Sequence, residues 1–496
     1  CPTISPAPFK RTAIQLTERV HAYGAKIFIQ LSAGFGRVSN RIKPGTKPIG
    51  PSEIPYRWDP SIICRAITTE EVEKIVKAMG QAASIAKAAG FDGVEIHAMH
   101  EGYLIDQFAL ECCNHRTDKY GGSRENRIRF AVEILESIKN ACGKDFPVVM
   151  RYSSKSFMKD FGKGALPGEE FEEMGRDLDE GLVIAKMLEE AGYDALDADV
   201  GCYDSWYWNH PPMYFEEGMY LPFNKLLKEK VSIPVLTAGR MENPDLALKA
   251  VREGATDLIG LARPLMADGL LVEKIRKDQM EDIRPCLSCQ EGCIGRLKQY
   301  LHISCAVNPA ACRERELELR PALKPRRIAV IGGGIGGCEA ARVLKERGHE
   351  VTLYEESGRL GGKLLLAGAP DFKKDDLALV RWYERQMEKL NIPVRFHTVI
   401  REPEQIKDAD AVILAYGSKA VTFNLGEKVP VVDAGSVLEA PDTFKGPFVI
   451  VGGGLVGCET ALMLAKKGQQ VPIVEMLPGL MQQNGPICYA NRQMLI

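Results

Sequence analysis

The sequence predicts an α/β protein: a TIM (β/α)8 barrel, N-terminally truncated, followed by a cysteine-rich segment and nested Rossmann-type domains. Three observations lead to this prediction. Short β-rich runs alternate with helical stretches to about residue 285, four cysteines cluster directly beyond them, and a glycine-rich strand–turn–helix pattern occurs twice in the second half. A chain of 496 residues also exceeds what one hydrophobic core usually supports, so several domains are expected.

The barrel is predicted from the places where polar residues end apolar strands. Six runs have strand character: Ala25–Leu31, Asp92–His97, Val148–Ser153, Ala195–Val200, Val235–Ala238 and Asp257–Leu261. At or just beyond their carboxyl ends lie Gln30, His97, Arg151, Asp199, Gly239 with Arg240, and Gly260 with Arg263. In a TIM barrel these ends converge on one catalytic face, which favours a barrel over an open sheet. Since a closed barrel has eight such units, about two more are expected upstream of Cys1.

The last two strand ends predict a phosphate site. The turns Thr237–Arg240 and Ile259–Arg263 each combine small residues with one arginine. Small residues let backbone N–H groups approach an anion, and the turns after strands 7 and 8 are the usual phosphate site of this barrel. The candidate phosphate-binding residues are Gly239, Arg240, Gly260 and Arg263.

A cluster of cysteines follows the last barrel helix. Cys286, Cys289 and Cys293 have the spacing Cys-x2-Cys-x3-Cys, and eleven residues separate Cys293 from Cys305. Four thiolates brought together in this way suit an iron–sulfur cluster or a zinc ion, and the spacing leaves both open. Cys312 lies outside the pattern and is expected to be an ordinary buried cysteine.

A Rossmann pattern begins in the second half of the chain. The buried-strand run Arg327–Ile331 leads into Gly332, Gly334 and Gly337, then a helix and a second strand that ends at Glu355. The glycines admit a pyrophosphate to the helix N-terminus, and the acid binds a ribose. The sequence therefore predicts a dinucleotide site here.

The same pattern is then repeated. The run Phe448–Val451 leads into Gly452, Gly454 and Gly457, and the following strand ends at Glu475. A carboxylate in this place accepts a ribose 2′-OH and repels a 2′-phosphate, which favours NADH over NADPH. Two such units in one chain are what a flavoprotein needs for FAD and a nicotinamide.

Composition excludes several classes of partner. With 64 Lys and Arg against 66 Asp and Glu the net charge is −2, and no basic stretch interleaves with aromatics, so nucleic acid is not expected. No apolar run approaches the roughly 20 residues of a membrane span and no signal peptide opens the chain, so we expect a cytoplasmic protein without a membrane partner. Fourteen cysteines are too sparse for a disulfide scaffold. The chain begins at Cys1 and stops within an α/β pattern, which predicts a fragment lacking both ends.

Several barrel motifs carry a family resemblance. The stretches Phe91–His97, His100–Leu104, Asn114–Ser123 and Glu125–Arg127 resemble the old yellow enzyme superfamily of FMN reductases. The resemblance implies FMN at the barrel top, with Gln30 and Arg151 touching the isoalloxazine and the candidate phosphate-binding residues at its phosphate. Tyr103 stands in a Glu-Gly-Tyr-Leu stretch like that of the dienoyl-CoA reductases, which implies a proton donor. His97 and His100 could hydrogen-bond a substrate carboxylate or carbonyl.

The order of barrel, cysteine cluster and paired Rossmann units resembles one branch, the 2-enoate reductases. Arg19–Phe28, Leu31–Val38 and the aromatic loop Tyr203–Pro212 are most similar to that branch, and the loop suits a planar aryl substrate or a cation. The resemblance implies a [4Fe-4S] cluster on the four cysteines. It also implies electron flow from NADH through FAD and the cluster to FMN, which reduces the C=C bond of a cinnamate-type 2-enoate.

We expect four domains and retain two rival activities. The domains are an FMN-binding barrel over 1–283, a cluster segment over 284–324, an FAD-binding domain over 325–443 and an incomplete NADH-binding domain over 444–496. A 2,4-dienoyl-CoA reductase would need a basic channel for CoA, and a tertiary-amine dehydrogenase would suit the aromatic loop. A cofactor-binding remnant without turnover is the alternative from another class. Family analogy favours a homo-oligomer.

Overall fold

The structure is a computed structural model that describes residues 4, 6–39, 45–100, 102–421, 429–482 and 488–496. The chain folds as two units. The first unit comprises Cys1–Pro211 and Glu217–Gly260, and the second comprises Pro212–Glu216 and Leu261–Ile496. Within the described residues, no helix is both long and apolar enough to cross a membrane.

The first unit contains a sheet of six parallel strands. These are β1 Phe28–Ser32, β2 Gly93–Met99, β3 Val148–Ser153, β4 Ala195–Asp199, β5 Val235–Ala238 and β6 Leu258–Gly260. Each strand pairs with the one before it in the chain, so the order along the sheet is β1 to β6 without a reversal. A doubly wound sheet reverses its strand order, whereas a barrel adds each strand beside the last. The observed order confirms the predicted barrel topology.

Helices lie between these strands and supply the other half of the core. They are α1 Pro6–His21, α2 Thr69–Ala88, α3 Leu104–Ala109, α4 Arg124–Cys142, α5 Leu178–Ala191, α6 Trp206–Asn209, α7 Leu221–Lys230 and α8 Pro244–Arg252. Helix α2 begins with a capping box, in which Thr68 and Glu71 each bind the other's backbone N–H. The loops contain two short strand pairs, Ile49–Gly50 with Arg65–Ala66 and Met158–Asp160 with Lys163–Gly164.

The second unit contains two parallel sheets of Rossmann type. The first consists of β7 Arg327–Ile331, β8 Glu350–Tyr354, β9 Val394–Arg395 and β10 Ala411–Leu414 in the order β9-β8-β7-β10. The second pairs β11 Ile450–Val451 with β12 Ile473–Val474. Strand β7 is a largely buried apolar run, as predicted, and β8 ends directly before Glu355, also as predicted.

The helices of the second unit pack on these sheets and around the cysteine segment. They are α9 Arg263–Ala267, α10 Leu271–Arg276, α11 Arg296–Lys298, α12 Ile335–Glu346, α13 Lys363–Ala367, α14 Lys374–Lys389, α15 Ala434–Glu439, α16 Leu455–Lys466 and α17 Tyr489–Leu495. A π-helical turn, Glu291–Gly295, carries Cys293. One apolar cluster joins β7, β8, α12 and α14 through Val330, Leu353, Ala341 and Trp382.

Candidate active site

Five side chains on β1 to β4 form one polar network. Gln30 on β1 donates from Nε2 to Glu95 Oε1 on β2 at 2.6 Å. On β3, Arg151 donates to Asp197 and, at 2.7 Å, to Asp199 Oδ2. The parallel register produces this arrangement, since Gln30 pairs with Glu95 and Arg151 pairs with Asp197 on the neighbouring strands.

The charges in this network are strongly coupled. Burial raises the pKa of Glu95 to about 7, and the charge of Asp197 adds to the rise. Burial also raises the pKa of Asp199 to about 7, against the opposing effect of Arg151. Burial acts to lower the pKa of Arg151, but Asp197 and Asp199 outweigh it and raise the pKa. Arg151 is therefore a permanent cation, whereas two acids near it change charge around neutral pH.

His97 and His100 lie beside the network, at the end of β2. His100 Nε2 is 2.6 Å from Asp199 Oδ2, and the two imidazole centroids are 5.0 Å apart. Burial lowers the pKa of both histidines well below the usual range, and the charge of Arg151 contributes in each case. Both rings are therefore neutral near pH 7, so each presents one N–H donor and one acceptor nitrogen.

Tyr103 lies directly before α3 within a group of aromatic rings. Its ring stacks on His97, with 4.3 Å between centroids and 15° between planes, and Phe35 meets it edge to face at 4.7 Å. Tyr203, from the loop after β4, lies 5.7 Å away, and Tyr103 is only 8% exposed. The structure thus brings the three predicted catalytic residues together and adds an aromatic wall.

The aromatic loop after β4 divides into two parts. Trp206 lies 4.6 Å from Tyr203 and stacks on His210 at 4.0 Å, so this part continues the aromatic group around Tyr103. Trp208 instead stacks on Phe157 at 3.7 Å and donates its indole N–H to a backbone carbonyl. The loop therefore combines a wall at the candidate site with ordinary core packing.

The residues of the two predicted phosphate turns differ in their surroundings. Gly239 has a φ of 102°, and a Cβ there would lie 2.4 Å from the ring of Tyr220, so only glycine fits. Arg240 follows it, buried, and forms an ion pair with Glu242 at 2.9 Å. Gly260 ends β6 in register with Ala238, the last residue of β5. These turns thus lie on adjacent strands of one sheet.

Arg263 differs from the other phosphate candidates because it belongs to the second unit. It is the first residue of α9 and lines the cavity that contains the four cysteines. Its charge acts to lower the pKa of Cys293, although burial outweighs it and raises that pKa. A role of Arg263 at the phosphate stays a prediction.

The four predicted cysteines line one cavity in the second unit. The lining residues are Cys286, Cys289, Cys293, Cys305, Arg263, Met266, Leu287, Gln290, Gly292, Ala306 and Val307. Gly292 permits this approach, because a Cβ there would lie 2.8 Å from Ser304 O. Cys312 is exposed rather than buried, which corrects the expectation for it. In the described part of the chain, no three or more His, Cys, Asp or Glu side chains are arranged to hold a metal ion.

The first dinucleotide loop has the expected geometry. Gly332 has a φ of 106°, and a Cβ on Gly337 would lie 1.9 Å from Gly332 O. Gly334 precedes α12, and a Cβ there would meet nothing within 4 Å, so the helix N-terminus faces open space. Glu355 Oε2 accepts the Gly333 N–H at 2.6 Å. The glycine loop and Glu355 thus lie in contact, in the arrangement that binds a pyrophosphate and a ribose.

The second loop repeats the main backbone features of the first. Gly452 has a φ of 104°, a Cβ on Gly457 would lie 1.9 Å from Gly452 O, and Gly454 precedes α16. Glu475 Oε2 accepts the Gly453 N–H at 2.6 Å. Hydrogen bonds from the backbone N–H groups of Leu477 and Gly453 lower the pKa of Glu475, so it is a carboxylate at neutral pH.

Sequence reasoning missed two members of the site, Glu95 and Asp197. The available signal was the alternation of strand residues, since positions two apart point to the same face. Glu95 and His97 are so related on β2, as are Asp197 and Asp199 on β4. Ionisable residues at both positions of an otherwise apolar strand indicate a functional face.

Comparison with known proteins identifies the class. Residues 11–282 match the NADH:flavin oxidoreductase / NADH oxidase family, and residues 326–490 match the pyridine nucleotide-disulphide oxidoreductase family. The first match covers more than half of the chain, so the chain belongs to the NADH:flavin oxidoreductase / NADH oxidase family and is an oxidoreductase. The two families imply FMN for the first half and FAD with NADH for the second.

Individual relatives extend over the whole chain. A cinnamate reductase of Clostridium sporogenes is 55% identical over 498 residues, which cover 100% of this chain and 75% of the relative. An NADH oxidase of Thermoanaerobacter brockii is 39% identical over 486 residues, covering 95% of this chain and 72% of the relative. A solved complex of 2-naphthoyl-CoA reductase with 2-naphthoyl-CoA is 29% identical with a TM-score of 0.84, covering 99% and 74% of the two chains. The predicted superfamily is confirmed.

Proposed function

We propose that this enzyme uses NADH to reduce the α,β C=C bond of 2-enoates of the cinnamate type. The observation that carries the proposal is the stacking of Tyr103 on the neutral ring of His97, inside an aromatic wall and beside the cation Arg151. The wall of Phe35 and Tyr203 suits a planar aryl group. The cinnamate reductase relative supports the same substrate class.

The residues at the strand ends fit an FMN molecule. Arg151, as a permanent cation, would favour negative charge on the flavin ring, and Gly239, with a φ of 102°, turns the backbone directly after β5. When bound, FMN supplies the hydride that adds to the β-carbon of the substrate. The residues proposed to hold it are Gln30, Arg151, Gly239, Arg240, Gly260 and Arg263.

Tyr103 and the histidines would act on the substrate itself. Tyr103 would donate its phenolic proton to the α-carbon, and an N–H of His97 would bind the substrate carboxyl group. His100 Nε2 lies against Asp199 Oδ2, which also accepts from Arg151. A neutral His100 that donates from Nε2 to this carboxylate keeps only an acceptor at Nδ1. We therefore assign His97 to the substrate and His100 to the support of the site.

We propose that the cysteine cavity holds a [4Fe-4S] cluster, as the resemblance to the 2-enoate reductases implies. Four cysteines line it, and cysteine thiolates are the ligands that iron–sulfur clusters take from proteins. Cys286, Cys289, Cys293 and Cys305 would hold the cluster. When bound, it carries single electrons between two flavins.

The second unit would bind FAD at its first glycine loop and NADH at its second. Gly332, Gly334 and Gly337 with Glu355 would hold the FAD, and Gly452, Gly454 and Gly457 with Glu475 would hold the NADH. The open space at Gly334 supports the first assignment, and the acid that binds each glycine loop supports both. We propose the four domains predicted from the sequence, 1–283, 284–324, 325–443 and 444–496, as the functional division.

Anaerobic oxidation of NADH by the holoenzyme tests the proposed function. Cinnamate, a short 2-enoate, a dienoyl-CoA and trimethylamine are compared at equal concentrations. Rapid turnover with the free acids is expected, with cinnamate ahead of the short 2-enoate because of the aromatic wall. Turnover with the thioester alone, or reduction of the flavin by trimethylamine without NADH, would contradict the proposal.

A further inference from the structure

A buried ion pair near Tyr103 has no part in the chemistry proposed above. Asp106 Oδ1 accepts from Arg176 Nη2 at 2.7 Å, and the two side chains are 1% and 0% exposed. Such a pair adds little net stability, because removing both charges from water costs about as much as their attraction returns. The bonds that the pair makes to the backbone around it therefore indicate its role.

Asp106 binds the turn that carries Tyr103. Its Oδ2 accepts the Gly102 N–H at 2.9 Å, and Gln107 Nε2 donates to Gly102 O at 2.7 Å. The N–H and the C=O of Gly102, the residue before Tyr103, thus both bind side chains of α3. Gly102 has a φ of +69°, and glycine by itself would leave this turn free to adopt other conformations.

Arg176 connects the same turn to strand β3. Its Nη1 donates to Ser153 O at 2.7 Å, and Ser153 is the last residue of β3. Arg151, the proposed flavin contact, lies two residues earlier on that strand. A continuous line of hydrogen bonds therefore runs from the flavin-binding strand through Arg176 and Asp106 to Gly102.

We propose that Asp106 and Arg176 are positioning residues, which hold the Tyr103 hydroxyl in a fixed place relative to the flavin-binding strand. This inference rests on the proposed role of Tyr103 as proton donor. Proton transfer to carbon needs close alignment, and a displacement of about 1 Å can slow a reaction about 100-fold. A neutral residue at position 106 would weaken the hydrogen bonds from Arg176 and from the Gly102 N–H at the same time.

The test is a double-mutant cycle on the holoenzyme with Asp106→Asn, Tyr103→Phe and both. We expect Asp106→Asn to slow reoxidation of the reduced flavin by cinnamate at least about tenfold and to leave flavin reduction by NADH within about twofold. In the Tyr103→Phe background the same change should have less than about a twofold further effect. Amide hydrogen exchange in the peptide containing Gly102 should become faster in Asp106→Asn.

Asp194→Asn is the matched control. Asp194 also lies between a cation and a backbone N–H, those of Lys139 and Val148, but at the amino end of β3. The Asp194→Asn variant should leave reoxidation of the reduced flavin by cinnamate unchanged. If Asp106→Asn does not accumulate with bound flavin, Arg176→Lys takes its place, because it retains the buried charge and loses one of the two bonds.

The outcomes separate the two proposals. Equal slowing by Asp106→Asn with and without the Tyr103 hydroxyl would overturn the positioning role, while the proton-donor role stands. Unchanged reoxidation in Tyr103→Phe alone would overturn the donor role and the positioning role with it. Unchanged exchange at Gly102 in a slowed Asp106→Asn enzyme would also overturn the positioning role.

Discussion

Replacement of Tyr103 by phenylalanine is the most direct perturbation of the proposed chemistry. The change removes one hydroxyl and keeps the ring, which stacks on His97 and meets Phe35 edge to face. Because these contacts are made by ring carbons, the variant should retain the local packing. The expected consequence is therefore confined to the proton that Tyr103 would donate to the substrate.

The magnitude follows from general acid catalysis. A positioned acid contributes about 10²- to 10⁴-fold, which corresponds to about 3 to 5 kcal/mol in activation free energy. We expect reoxidation of the reduced flavin by cinnamate to slow by that factor, whereas flavin reduction by NADH stays within about twofold. Anaerobic stopped-flow absorbance measures the two half-reactions separately on the same holoenzyme.

Tyr193→Phe is the control for loss of a buried hydroxyl. Tyr193 donates to Ala131 O at 2.8 Å within the barrel core, so its loss affects stability and not the site. Unchanged reoxidation in Tyr103→Phe would refute the reasoning. Equal slowing of both half-reactions would also refute it, since that would place the defect in flavin binding rather than in proton transfer.

Three further predictions concern charge and ligands. The pKa of Asp199 is raised to about 7 by burial, so the folded state binds more protons than the unfolded state between about pH 4 and pH 7 and loses stability as pH rises through this window. Asp199→Asn should make the melting temperature fall less as the pH rises through this window. An unaltered dependence of the melting temperature on pH would contradict the assignment of this pKa to Asp199. Glu475→Gln should raise kcat/KM for NADPH relative to NADH at least about tenfold, in steady-state assays, because the carboxylate no longer repels a 2′-phosphate. Cys293→Ser should remove most of the bound iron measured per flavin, whereas Cys312→Ser, at the exposed cysteine, should remove none; equal iron in both would exclude the cavity as the cluster site.

The parts of the fold that were predictable from the sequence are those encoded by neighbouring residues. Strand β3 begins at Val148 and ends at Ser153, as predicted, because an apolar run with polar ends is a local signal. The two glycine loops were predictable for a related reason. Gly332 and Gly452 adopt φ values above 100°, which few other residues tolerate, so the residue type itself reports the backbone conformation.

The partners within the site depend on register and were not predictable. Glu95 meets Gln30, and Arg151 meets Asp197, only because β1, β2, β3 and β4 pair in one particular alignment. A shift of one residue would turn each of these side chains to the other face. The alternation along a single strand reports which residues share a face, but not which residue of the next strand lies opposite.

Arg263 shows the same limit in a turn. Its position after strand β6 predicts a phosphate contact, and the structure places it among the residues that line the cysteine cavity. A Gly-x-x-Arg turn specifies where the backbone leaves the strand and leaves the direction of a long, flexible side chain open. The turn therefore identifies Arg263 as a candidate, and its contact with a phosphate stays a prediction.

The charge distribution at the strand ends explains why a tyrosine, and not a histidine, is suited to be the proton donor. Arg151 is held cationic by Asp197 and Asp199, and its charge together with burial keeps His97 and His100 neutral. A neutral imidazole can donate a hydrogen bond to an anionic substrate, but it is a weak acid and does not readily release a proton to carbon. Tyr103, which stacks on His97, carries a phenolic O–H, so the proposed substrate binding and proton donation would fall to two adjacent rings.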